Sequence, residues 1–132
     1  MMKKRRTITK IEYYSYKQFE KDIKVLVKEI NATQRSFKNI YAVPRGGLVL
    51  GVRLSHLLNL PLIDRQSLIS QNTIICDEIV DTGKKLWQYH NYFVVCLHYK
   101  MQSCFIPKFF VHLIPNKTWI KYFWEKGGIE LK

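Results

Sequence analysis

Tyr16, Phe19, Ile23, Leu26, Val27 and Ile30 recur at steps of three and four, which places an apolar stripe down one face of a helix. Ser15-x-x-Gln18 at its head is a capping-box pattern, in which hydroxyl and amide each satisfy an orphan backbone donor. Lys17, Lys21, Lys24 and Lys28 form a charged stripe beside the apolar one, and Asn31 is the predicted stop. Ahead of this helix, residues 8–14 alternate loosely, as a short strand does.

Further on, the pattern changes to compact apolar runs of strand length. Residues 39–43 (Asn-Ile-Tyr-Ala-Val), 73–76, 93–97 and 109–113 read as strands, and residues 60–63, which include Pro61, read as a short edge strand. Residues 48–58 form a second predicted helix, apolar nearly all round, and helix signals resume over residues 84–89. Residues 64–72 make a mostly polar connection, and Trp119, Tyr122, Phe123 and Trp124 crowd the C-terminal part. Short apolar runs alternating with helices predict βαβ units and a mainly parallel sheet. Ligands of such sheets bind at the carboxyl ends of the strands.

Composition narrows the picture. A chain of 132 residues, 47% hydrophobic and 24% charged, suits one folded domain, with residues 1–8 set apart as a basic N-terminal segment. There is no apolar run long enough to span a membrane, and no apolar stretch follows the N-terminal Lys-Lys-Arg-Arg as a secretory signal needs. Cys76, Cys96 and Cys104 are scattered and odd in number, which points to a reducing, cytoplasmic setting and away from a disulfide framework or zinc site. Net charge is +12, of which +7 falls in residues 1–38. Such a chain attracts polyanions, either small phosphorylated ligands or nucleic acid. His56, His90, His98 and His112 have no spacing that suggests chemistry.

Two predicted loops carry residue types that a plain turn does not need. Asp77, Glu78 and Asp81 crowd three carboxylates at the end of an apolar strand, where they repel unless a cation or a hydroxyl-rich ligand separates them. Thr82 and Gly83 then lead toward the predicted helix, a setting in which backbone N–H groups face an anion. A ligand with both a ribose and a phosphate suits that combination. A Walker A loop does not fit, because Glu78 stands where it needs Gly and Lys85 where it needs Ser or Thr. In the other loop, Pro44-Arg45-Gly46-Gly47, paired glycines allow close backbone approach and Arg45 offers a forked donor to phosphate.

Together, and in this order, the two loops resemble those of the type I phosphoribosyltransferases. Residues 73–83, Thr-Ile-Ile-Cys-Asp-Glu-Ile-Val-Asp-Thr-Gly, are similar to that family's signature of four apolar residues, two acids, two apolar residues and Asp-Thr-Gly. Residues 42–51 are similar to its pyrophosphate loop. Residues 114–120 and Trp124-Glu125-Lys126-Gly127 are similar to the purine-closing segment of the bacterial xanthine-guanine members, to which the chain is most similar. The resemblance runs from about residue 9 to residue 128.

The resemblance implies a Rossmann-like α/β fold, a parallel sheet flanked by helices. It implies transfer of 5-phosphoribosyl from phosphoribosyl pyrophosphate to a 6-oxopurine, with Mg²⁺ as cofactor and a homo-oligomeric protein. Asp77 and Glu78 would hold the ribose hydroxyls, with Glu78 also facing Mg²⁺. Asp81 would meet the purine N7 side, and Asp81, Thr82, Gly83, Lys84 and Lys85 would wrap the 5′-phosphate. Arg45 and Gly46 would bind pyrophosphate in a loop that commonly carries a cis peptide. Lys100 would donate to the 6-oxo group, Trp119 would stack on the base, and Ile120 would offer it main-chain contacts. Two features depart from the family: Lys85 stands where Thr or Ser is usual, and residues 64–72 leave only a shortened lid. The departures, with the basic N-terminal segment, keep a second class open: a non-catalytic regulator of this fold that binds a nucleotide or nucleic acid.

Overall fold

The computed structural model describes residues 7–126. Most of the basic segment over residues 1–8, and Gly127 and Gly128 of the C-terminal motif, lie outside the described residues. Strand β1 (Lys10–Tyr14) leads into helix α1 (Tyr16–Ala32), followed by β2 (Asn39–Ala42), α2 (Leu48–Leu58), β3 (Leu62–Ile63), β4 (Thr73–Val80), β5 (Phe93–Lys100), β6 (Phe109–Ile114) and β7 (Thr118–Tyr122). The Ser15–Gln18 capping box forms as the spacing predicts, and α1 runs one residue past Asn31. No helix among the described residues is long and apolar enough to cross a membrane.

Five strands pair in the order β3-β2-β4-β5-β6, all parallel, with β3 on the edge as Pro61 foretells. A parallel sheet with both faces covered needs apolar residues on both, and the strands supply them by simple alternation. Ile40, Ala42, Ile74, Cys76, Val95 and Leu97 face one side, where Phe19, Ile23, Leu26 and Ile30 of α1 and Leu50 and Leu54 of α2 complete the core. Tyr41, Val43, Ile75, Val94 and Cys96 face the other, under Leu86, Tyr89 and Phe105. Both α-helices therefore cover a single face.

The second face is covered without a helix. Residues 84–89 form a turn and a four-residue 3₁₀ segment, Leu86–Tyr89, instead of the predicted α-helix. Only two side chains there, Leu86 and Tyr89, are buried, and they stand three apart. A 3₁₀ turn eclipses i and i+3, so it seats that pair without a longer stripe. Strands β4 and β5 each run further than their apolar runs suggest. Asp77 pairs with Cys96, Ile79 with His98 and Val80 with Tyr99, so neighbouring backbone carries both strands past their last aliphatic residue. Asp77, Glu78 and Lys100 consequently sit in strands rather than in loops.

Residues 64–72 form a turn tied to the body. They contain a 3₁₀ turn, Gln66–Leu68, and the Gln66 side-chain amide donates to the Tyr89 hydroxyl at 2.9 Å.

The remaining strands, β1 and β7, form a separate parallel pair in the register Lys10↔Thr118 to Tyr14↔Tyr122. A polar network docks this pair on the main sheet. The Tyr14 hydroxyl donates to Asp22 Oδ2 at 2.7 Å, and His112 Nε2 meets the same oxygen at 2.7 Å. His98 stacks on His112 with ring centroids 5.2 Å apart, and its Nδ1 lies 2.9 Å from the Tyr122 hydroxyl. The network joins α1, β1, β5, β6 and β7, although spacing alone gives its histidines no role.

Burial, with the nearby His112, lowers the His98 pKa from 6.5 to about 4. The unfolded chain therefore binds this proton more readily than the folded one, and stability is lost as pH falls from 6.5 toward 4. One such group contributes about 3 kcal/mol to that loss. Urea denaturation at pH 7, 5.5 and 4.5 should show the decline, and His98→Asn should flatten its slope whatever it does to the stability at pH 7.

Candidate functional site

Because the five strands are parallel, the segments that follow β2, β4 and β5 leave from one end of the sheet. Pro44, Arg45, Gly46 and Gly47 follow β2, and Asp81, Thr82 and Gly83 follow β4. Lys100 is the last residue of β5. The Pro44–Arg45 peptide is cis. Gly47 presses on neighbouring backbone, where a Cβ would stand 2.7 Å from the Cys76 carbonyl oxygen and 2.8 Å from that of Val43. At Gly46 a Cβ would collide with the Glu78 carboxylate. Gly47 is thus demanded by space, and the pair lets the Arg45 loop lie directly against the acids of β4.

The two adjacent acids differ sharply. Asp77 is 2% exposed; its Oδ1 accepts from the Glu78 N–H at 3.0 Å, and its Oδ2 lies 3.7 Å from Lys85 Nζ. Burial raises its pKa. Glu78 is half-buried, and burial together with the neighbouring Asp77 charge pushes its pKa up to about 9. Two carboxylates held this close and this dry favour any ligand that brings a positive charge or hydroxyl donors. Asp81 pairs with Lys100, whose Nζ stands 3.1 Å from Asp81 Oδ1. Lys100 is 2% exposed, so its charge is neutralised within the protein while its remaining donors serve whatever enters beside it.

These groups open onto a cavity of about 900 Å³. Arg45, Gly46, Glu78, Asp81, Lys100, Trp119 and Ile120, all singled out in the sequence, line it. Trp119 is 41% exposed on the outward face of β7, whereas Ile120 turns inward. Residues 64–72 contribute nothing to the lining. A smaller cavity of about 130 Å³ adjoins it, lined by Asp77, Glu78, Asp81, Thr82, Gly83 and Lys85 among others. The predicted phosphate loop lies here. Gly83 takes φ 86°, a left-handed value that favours glycine. The loop is closed by one backbone contact, Cys104 N–H to the Thr82 carbonyl at 2.9 Å, and one to a side chain, Lys84 N–H to Thr82 Oγ1 at 3.3 Å.

One sequence expectation changes here, and another is extended. Lys84 lines neither cavity, its backbone donor being taken by Thr82. The Lys85 head crosses to the other loop, where Nζ donates to the Pro44 carbonyl at 3.4 Å and approaches Asp77, because the turn after Gly83 aims its long stem back across the site. Tyr122 was not among the expected site residues, yet it lines the large cavity and its hydroxyl donates to the Glu78 carbonyl at 3.2 Å. The inward alternation of Thr118, Ile120 and Tyr122 along β7 was the available signal. Trp124, Glu125 and Lys126 close the same side of the cavity.

Among the described residues no group of three or more His, Cys, Asp or Glu side chains could hold a metal ion alone. The Asp77–Glu78 pair fits Mg²⁺ in another way, since this ion keeps several waters and leans on one or two carboxylates plus substrate phosphates.

No family model matches the chain. Solved structures do resemble it. A purine phosphoribosyltransferase from Pyrococcus horikoshii Ot3 is 24% identical over 94% of this chain and 99% of its own, with a TM-score of 0.75. A xanthine-guanine-hypoxanthine phosphoribosyltransferase from Helicobacter pylori is 24% identical over 89% and 95%, with a TM-score of 0.72. A hypothetical protein from Neisseria gonorrhoeae, solved with bound ppGpp, is 16% identical over 89% and 90%, with a TM-score of 0.73. The chain has the α/β fold of the type I phosphoribosyltransferases, as its two loops lead one to expect.

The raised pKa of Glu78 makes this site a cost to stability. A carboxyl that ionises near pH 4.5 unfolded and near 9 folded loses stability as pH rises through that window. Glu78→Gln should therefore be more stable than the parent at pH 8, with the difference shrinking toward nothing at pH 5, as chemical denaturation at the two values will show.

Proposed function

We propose that the protein transfers a 5-phosphoribosyl group from phosphoribosyl pyrophosphate to a 6-oxopurine, releasing pyrophosphate and the nucleoside monophosphate. The observation that carries this reading is the pairing of buried Lys100 with half-exposed Asp81 at 3.1 Å, set in one cavity with Trp119, Glu78 and Arg45. A purine lying against Trp119 presents its 6-oxo oxygen to the Lys100 ammonium and its imidazole edge to Asp81. The half-exposed indole of Trp119 is available for stacking, as a core tryptophan is not.

In the reaction the C1′–O bond breaks with its electron pair leaving on pyrophosphate, and the purine nitrogen forms the new C1′–N bond as it gives up a proton. Asp81, ion-paired with Lys100, is placed to accept that proton. Asp77 and Glu78 hold the ribose hydroxyls, which orients C1′ toward the base. Thr82 and Gly83 form the wall of the smaller cavity, sized for the 5′-phosphate. Arg45 offers its fork to the leaving pyrophosphate, with Gly46 giving that group room beside Glu78. Glu78, with Asp77, would hold Mg²⁺, which would supply charge neutralisation for the pyrophosphate.

The cavity lacks cover from residues 64–72, and the reading includes a second copy of the chain that supplies it. Tyr16, Leu48, Val52 and Phe123 border an apolar groove of about 420 Å³ beside the cavity, and Val49 lines both. A dimer across this groove would lie against the Arg45 loop. Sedimentation at micromolar concentration should give twice the chain mass; a monomer would remove this part of the reading.

One observation favours a second reading. A cavity left uncovered by residues 64–72 admits water, which weakens the electrostatic help that transfer requires. The protein would then bind a purine nucleotide without turning it over, and the Neisseria protein solved with ppGpp offers a precedent for a phosphorylated purine on this fold.

Incubation with Mg²⁺, phosphoribosyl pyrophosphate and single bases separates the two. Nucleotide should form with guanine, xanthine or hypoxanthine and only poorly with adenine, whose 6-amino group leaves the Lys100 donor unpaired. Tight nucleotide binding without any product would favour the second reading. In the first, Asp81→Asn should lower kcat by about tenfold or more while base binding persists.

A further inference from the structure

Lys85 stands where the resemblance calls for a hydroxyl, and the structure gives it a contact beyond the 5′-phosphate loop. It lines the smaller cavity, and its ammonium reaches the Pro44 carbonyl at 3.4 Å and Asp77 Oδ2 at 3.7 Å. The Pro44 carbonyl belongs to the cis peptide that precedes the Arg45 loop. The lysine thus bridges the two segments between which a diol and a pyrophosphate would lie. Its side chain is 59% exposed, so the head is held only loosely and can follow an incoming anion. A lysine suits such a position: a compact point charge with three donors on a flexible stem.

The charges facing Lys85 make its role specific. The small cavity sets Lys85 beside Asp77 and Glu78. Arg45 lies on the loop that Lys85 touches, so a pyrophosphate there would meet two cations supplied by the protein, one from each segment. We propose that Lys85 is a resident counter-charge for the pyrophosphate end of the ligand, doing within the chain part of what a divalent cation does at this site. The inference rests on the transferase reading for the identity of the ligand. It adds that pyrophosphate binds here with a reduced need for Mg²⁺.

Two small probes test it by titration calorimetry: inorganic pyrophosphate for one end of the ligand, and ribose 5-phosphate for the other. Both are titrated into the parent, Lys85→Thr and Lys85→Arg, in EDTA and in Mg²⁺. In EDTA, Lys85→Thr should weaken pyrophosphate by about tenfold, the loss of one close charge-assisted contact, and Lys85→Arg should recover most of it. With Mg²⁺ saturating, the gap should narrow to about threefold. Ribose 5-phosphate should bind all three proteins within about twofold, which also shows that the variants are folded.

Equal pyrophosphate affinity in parent and Lys85→Thr overturns the proposal and leaves the transferase reading intact. A loss that falls on ribose 5-phosphate instead overturns it too, and returns Lys85 to the 5′-phosphate. A parent that binds neither probe, with or without Mg²⁺, removes this proposal and the transferase reading together.

Discussion

The pairing of β4 with β5 is the constraint on which the site depends. The ladder does not stop where the aliphatic residues stop. It continues through Asp77↔Cys96 and Val80↔Tyr99, and so carries two acids into one strand and a lysine to the end of the next. Glu78 keeps partial access to solvent through the cavity. Asp77 and Lys100 are buried because their neighbours' backbones hold them there, and the chain has to neutralise them locally. Lys100 finds Asp81, and Asp77 takes the Glu78 N–H with Lys85 nearby.

Glu78 is the unresolved member of this arrangement. It is half-buried beside a second carboxylate, with Gly46 pressed on it, and its pKa rises to about 9. Burying a charge without a full partner opposes folding. A sheet under no functional demand would place an aliphatic residue there. The strain is the kind that a ligand relieves, and it lies in the wall of the cavity that Arg45 and Lys100 also line. Tyr122 and the His98–His112–Asp22 network behind it tie the C-terminal strand to the same carbonyl, so Trp119 is held in register with the acids.

The distribution of cover over the sheet also bears on function. Two full helices protect one face, while the other has only a 3₁₀ segment and the residues around Phe105. The loops at the carboxyl end are short, and the connection over residues 64–72 is tied down by Gln66 to Tyr89. The apparatus is therefore built of strands and tight turns, and access to it is governed less by a moving segment of this chain than by the open side of the cavity.

Much of this was legible in the residues themselves. The stripe from Tyr16 to Ile30, the Ser15 cap, Pro61 at an edge and the two loops with their acids and glycines are local features. Local backbone preference and periodicity decide them before any long-range contact forms. The fold class and most of the cavity lining followed. What the residues could not reveal was how far β4 and β5 extend, that residues 84–89 form a 3₁₀ turn, or that Lys85 crosses to Pro44. Nor did spacing bring Asp22, His98, His112 and Tyr122 together, since they lie on four different elements. A strand's length past its apolar run is set by the neighbour it bonds to, and a long side chain's target by the turn that launches it. Both are properties of the assembled sheet, and only the tertiary structure decides them.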